Sequence, residues 1–111
     1  MNIQIYGAKK CFDTKKAERY FKERGIPYQW IDIHRFGMAK AVFEAAKRII
    51  DVEDMIDRKA KAYTKLYMDY IDETKRESTL FENPELFRTP IVRNGRDFTL
   101  GFCPEIWKDW T

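Results

Sequence analysis

Residues 2–33 read NIQIYGAKKCFDTKKAERYFKERGIPYQWIDI, and the changes of period within them decide the fold class. Asn2 to Tyr6 alternate around Ile3 and Ile5, which predicts a short strand. Gly7 to Lys10 breaks it. From Cys11 the period becomes helical: Ala17, Tyr20 and Phe21, with Phe12 and Lys16 nearby, fall on one side of a helix ending at Gly25. Asp13 near its start and Lys22 and Arg24 near its end complement the helix dipole, and Gly25 suits its C-cap. Pro27 then opens a second strand, Tyr28 to Ile33. Strand, helix and strand in so short a stretch form a βαβ unit, whose two strands lie parallel across a right-handed crossover.

Outward from this unit, residues from about 37 to 80 lack strand-like alternation. Val42, Phe43, Ala46, Ile49 and Ile50 recur at helical spacing, then Met55 and Ile56, then Tyr63, Leu66, Tyr67 and Tyr70. Several short helices are expected, with Asp51 and Asp72 as caps and a minor break around Arg58 to Lys61. Strand character returns at Thr89 to Arg93. Asn94-Gly95 is a strong hairpin signal, and Arg96 to Leu100 is the returning strand. Gly101 ends it, and Pro104 to Trp110 reads as a closing helix with Ile106, Trp107 and Trp110 on its apolar side. The order predicts an α/β fold: a small mixed sheet, helices packed on it and a helical insert.

The totals fit one domain spanning 1–111, because 111 residues can bury a real core but not two. Hydrophobic residues make up 44% and aromatic residues 15%, which argues against disorder. No apolar run approaches the roughly 18–20 residues that cross a bilayer, and Met1 to Tyr6 show no secretory pattern. A cytoplasmic protein is expected, without a membrane partner. The net charge of +3 is spread among opposite charges, so it favours small oxyanions or acidic partner surfaces slightly and gives no basis for direct nucleic-acid binding. Two cysteines, Cys11 and Cys103, are too few for a disulfide scaffold or a cysteine metal site, and no metal is expected.

Cys11 stands where the first strand hands over to the first helix. Free backbone N–H groups and the positive helix end there favour thiolate over thiol. Lys9, Lys10, Lys15 and Lys16 add a cationic neighbourhood that would lower the thiol pKa and hold an anion. Thr14 can offer its hydroxyl to the thiolate or to a substrate oxygen.

Three segments resemble the arsenate reductase family, which also contains the Spx-type redox regulators. They are Y-G-A-K-K-C-F-D-T-K-K with the following A-E-R-Y-F-K-E-R-G-I (residues 6–26), M-I-D-R-K-A-K-A-Y-T-K-L (55–66) and L-F-R-T-P-I-V (86–92). The resemblance implies a thioredoxin-like (glutaredoxin-like) mixed four-stranded sheet with an inserted helical subdomain. It also implies a cis peptide at Thr89-Pro90, with the proline loop facing the cysteine. By the same likeness Cys11 is the catalytic nucleophile on an oxyanion or disulfide substrate, and Arg58 and Arg88 hold the anion and lower the thiol pKa. Guanidinium forks suit tetrahedral oxyanions because they pair bidentately. No cofactor is expected to be bound, and glutathione or glutaredoxin would return the cysteine to its thiol. The alternative within the family is a non-catalytic regulator contacting RNA polymerase. Three departures stand out, the first being Phe12-Asp13 beside the thiol, where a negative Asp13 favours the helix dipole yet repels a bound anion. Phe102 occupies the place of a further family arginine, for which Arg93 or Arg96 are the candidates to compensate, and Gly-Ala-Lys-Lys replaces the usual asparagine-proline pair before the cysteine.

Other residues have plainer readings. Cys103 is a packed small side chain or, if the fold brings it near, a resolving thiol for Cys11. Lys15 faces either an anion or solvent. His34, the single histidine, marks the exposed end of the second strand. Tyr63, Tyr67 and Tyr70 are expected to pack in the core rather than to stack bases.

Overall fold

The structure is a computed structural model and describes residues 1–110. Strands β1 (Ile3–Gly7), β2 (Tyr28–Asp32), β3 (Ile91–Asn94) and β4 (Asp97–Leu100) form one sheet in the order β2-β1-β3-β4. β1 and β2 are parallel, joined through helix α1 (Phe12–Glu23), while β3 runs antiparallel to both β1 and β4. The predicted βαβ unit and hairpin are both present, and Gly95 takes the positive φ of 61° that the Asn94-Gly95 turn requires.

The pleat sorts side chains into two cores. Ile3, Ile5 and Val92 pack with Ala17, Tyr20 and Phe21 of α1 and with Trp107 of the closing helix. Trp107 is fully buried, and its indole N–H donates to Thr99 Oγ1 at 2.8 Å, so this core leaves that polar atom satisfied. On the other face Tyr6, Ile33, Ile91 and Phe98 meet the helical insert through Phe43, Met55, Leu80, Leu86 and Phe87.

β2 ends one residue earlier than the sequence predicts. Its parallel pairing stops at Gly7↔Asp32 because β1 goes no further, so Ile33 has no strand neighbour. The chain turns there into α2 (Ile33–Phe36), burying Ile33 completely. The insert continues with α3 (Lys40–Lys47), α4 (Val52–Met55), α5 (Lys61–Lys65) and α6 (Arg76–Glu82), and the chain closes on α7 (Pro104–Trp107). The break expected around Arg58 to Lys61 is a turn, preceded by an isolated bridge between Ile56 and Phe87. Asp72 caps as expected, accepting from the Thr74 N–H at 2.9 Å. Asp51 occupies the N-cap of α4 without a side-chain cap bond.

The tyrosine expectation holds for one residue of three. Tyr63 is buried, and its hydroxyl donates to Asp69 Oδ1. Tyr67 and Tyr70 are 68% and 86% exposed. Helix α5 stops at Lys65 and Tyr67 takes φ 54°, so the helical period that would carry all three rings inward is broken. Arg76 braces this region: its guanidinium meets both Glu53 carboxylate oxygens, at 2.8 and 2.9 Å, and donates to the Met68 carbonyl.

The end of β1 is packed without slack. A Cβ built on Gly7 would lie 2.4 Å from Thr14 Cγ2, and Thr14 is itself 1% exposed. Gly7→Ala is therefore expected to lower stability by about 1–3 kcal/mol through overpacking, read as a drop in thermal midpoint.

Candidate functional site

Cys11 is the N-cap of α1, in extended conformation, with the chain turned onto it by its N–H donating to the Ala8 carbonyl at 3.1 Å. Its carbonyl accepts the Lys15 N–H at 3.2 Å, opening the helical ladder. The sulfur is partly exposed and lies 3.5 Å from the carbonyl of Thr89, whose peptide bond to Pro90 is cis. Thus the loop before β3 faces the thiol, as the resemblance implied. Pro90 itself is buried, and its carbonyl accepts the Gly101 N–H at 2.8 Å, which ties the loop to the end of β4.

Burial of the sulfur raises its pKa. Hydrogen bonds from the Thr14 hydroxyl and Thr89, and from the backbone N–H groups of Thr14 and Asp13, outweigh that and lower it overall. Thr14 is suited to this task because its Oγ1 already accepts the Ala8 N–H at 3.3 Å, which leaves the hydroxyl hydrogen for the sulfur.

The thiol opens on a cleft of about 450 Å³ lined by Ala8, Lys10, Asp13, His34, Asp57, Arg88 and Thr89. Arg88 is anchored by its N–H to the Met55 carbonyl (2.7 Å) and by Nη1 to the Asp54 carbonyl (3.1 Å). Arg58 does not line this cleft. It sits in an adjoining depression that shares Asp57 and Arg88 with it, 3.4 Å from Glu53 and 66% exposed. Lys15 is also outside, its ammonium 5.9 Å from the centre of the exposed Phe12 ring.

Arg93 and Arg96 do not compensate for the arginine replaced by Phe102. The register pairs Ile3 with Asn94, so Arg93 and Arg96 lie at the end of the sheet opposite Cys11. Arg93 is moreover bonded to the Gly95 carbonyl and Gln4 Oε1. Phe102 instead packs edge-on against Trp107, with Lys16 5.8 Å from its ring centre.

Cys103 is partly buried against the Trp107 core and lies 3.2 Å from the Leu100 carbonyl. Burial, then the charges of Glu105 and Asp13, raise its pKa, the reverse of Cys11. His34 departs from expectation too: it belongs to α2, is half-buried, and places Nε2 3.0 Å from the Phe87 carbonyl. Sequence reasoning missed its place in the cleft, which the pairing of β2 with β1 sets, along with that of Asp57, which the insert brings there by folding back on β1. Among the described residues no group of three or more His, Cys, Asp or Glu is placed to hold a metal, and no helix is long and apolar enough to cross a membrane.

A four-stranded mixed sheet, a cysteine at the first helix cap and a cis-proline loop against its sulfur define a thioredoxin-like fold carrying a single thiol at its functional end. The ArsC family profile matches residues 6–110, and the chain belongs to that family. It is 28% identical over 92% of its length to the global transcriptional regulator Spx 2 of Oceanobacillus iheyensis, covering 78% of that protein. Among solved structures it resembles a putative ArsC family related protein from Bacteroides fragilis (TM-score 0.84, 20% identity, 100% and 98% of the two chains). The arsenate reductase from Vibrio cholerae is similar as well (TM-score 0.81, 20% identity, 98% and 97%).

The opposite pKa directions of the two thiols give a direct expectation. With limiting iodoacetamide at pH 7, Cys11 is alkylated before Cys103, as located by peptide mass. Thr14→Val removes the hydroxyl bond and slows alkylation of Cys11 several-fold while leaving Cys103 unchanged.

Proposed function

We propose that the protein is a thiol-dependent oxidoreductase whose nucleophile is Cys11 and whose substrate is a disulfide. One observation carries this reading: a sulfur whose ionised form is favoured by four hydrogen bonds sits at the mouth of an open cleft. The thiolate attacks one sulfur of a disulfide, forming a mixed disulfide with Cys11 and releasing the other half as a thiolate. A second thiolate, for which glutathione or a glutaredoxin is the proposed source, attacks the mixed disulfide and restores Cys11. An external reductant is preferred over Cys103 as resolving thiol, since Cys103 is held near the Leu100 carbonyl and its thiolate is disfavoured. This chemistry belongs to a reducing compartment such as the cytoplasm.

A disulfide is favoured over a tetrahedral oxyanion by the charges around the sulfur. Lys10 and Arg88 are matched in the cleft by Asp13 and Asp57, and Arg58 is engaged with Glu53. A multiply charged oxyanion gains little from so balanced a field, whereas a disulfide needs no net attraction. A second reading, a non-catalytic regulator binding RNA polymerase, is supported by the likeness to the Spx 2 regulator. Stable capture of polymerase subunits by a Cys11→Ser variant would favour that reading.

Thiolate absorbance against pH, with Cys11→Ser as reference, is expected to give a Cys11 pKa well below the free value of about 8.5. A value above about 8 would overturn the proposal. Because the folded state favours the thiolate, stability should rise with pH between this lowered pKa and the ordinary thiol range, where it becomes complete. It should be lost as pH falls through the lowered pKa, and Cys11→Ser should remove this slope.

A further inference from the structure

Building on the disulfide reading above, we infer that His34 is the general acid that protonates the departing thiolate when Cys11 attacks. The histidine shares the cleft with Cys11 although its ring comes from a different element, α2, which begins where β2 loses its pairing partner. Its Nε2 is 3.0 Å from the Phe87 carbonyl. A carbonyl oxygen only accepts, so Nε2 carries a hydrogen whatever the charge of the ring. That fixes the tautomer: the proton gained and lost is the one on Nδ1, which has no protein partner among the described residues.

The anchor is itself held. Phe87 pairs with Ile56 across an isolated bridge and donates its N–H to the Pro84 carbonyl at 3.0 Å, and the next residue, Arg88, is bonded to Met55. Thr89, beside the sulfur, follows directly. One hydrogen bond therefore joins the imidazole to the segment that leads into the loop facing Cys11.

Among the side chains lining the cleft, imidazole is the type suited by its chemistry to hand a proton to a leaving group. The charges it meets there are Lys10 and Arg88 against Asp13 and Asp57, an even balance. Arg35 follows it and Asp32 lies two residues before it in the chain, and Glu85 belongs to the turn packed on α2.

The step balances as follows. Cys11 thiolate forms a bond to one substrate sulfur, the substrate S–S bond breaks with its electron pair going to the second sulfur, and that thiolate takes the Nδ1 proton. The imidazole is left neutral and regains its proton from water. Such help matters when the leaving thiol is basic and is irrelevant when its thiolate is already stable.

The test compares two disulfides on the full chain from pH 5.5 to 8.5. Bis(2-hydroxyethyl) disulfide has a basic alkyl leaving thiol, and 5,5′-dithiobis(2-nitrobenzoate) releases a stabilised aryl thiolate. His34→Gln keeps an N–H for the Phe87 carbonyl but has no proton to give, and an unchanged thermal midpoint would show that it folds. The variant is expected to form the alkyl mixed disulfide about 10-fold or more slowly than the parent below pH 7, with the aryl rate within about twofold of the parent. Its alkyl-to-aryl rate ratio then no longer depends on pH as the parent's does. An equal fall with both probes would overturn the inference in favour of a positioning role. Unchanged rates with both would overturn it outright. If the parent reacts with neither disulfide, the disulfide reading fails, and the inference fails with it.

Discussion

Thr14 holds together the part of the molecule on which everything else depends. Its methyl packs where a Gly7 side chain would stand, and its hydroxyl oxygen accepts the Ala8 N–H. Those two contacts set the path of the chain between β1 and α1 and leave Cys11 at the helix cap. The same hydroxyl then donates to the sulfur. A buried threonine thus touches both the packing at the end of β1 and the ionisation of the thiol.

Charge around the sulfur is arranged differently from the cationic cluster that the four nearby lysines suggest. Of these, Lys10 reaches the cleft, Lys15 and Lys16 lie beside aromatic rings, and two aspartates line the cleft. Local amide and hydroxyl dipoles, rather than a basic field, therefore favour the thiolate. Such dipoles act at short range on whatever atom sits at the helix cap, so they favour the ionised sulfur without a net positive field.

The two cysteines show how position converts one residue type into two. Cys11 receives hydrogen bonds at a helix cap that outweigh its burial, while the Cys103 pKa is raised by burial and then by the carboxylates of Glu105 and Asp13. Donors favour a thiolate and negative neighbours oppose it. Burial raises the pKa of both thiols, and the opposite outcomes arise from what each backbone turn presents to the sulfur.

Much of this was written in the local sequence. The alternation of Ile3 and Ile5, the helical spacing of Ala17, Tyr20 and Phe21, and Asn94-Gly95 fixed the elements, because hydrophobic period and turn chemistry act over a few residues. The place of Cys11 at a strand-to-helix turn followed from the same signals. The sequence could not show that His34 and Asp57 share its cleft, that Arg58 turns aside to Glu53, or that Arg93 and Arg96 lie at the opposite end of the sheet. Those facts depend on strand register and on how the insert folds back over β1. Both are set by burying two distant apolar faces together, and no short window of residues contains that pairing.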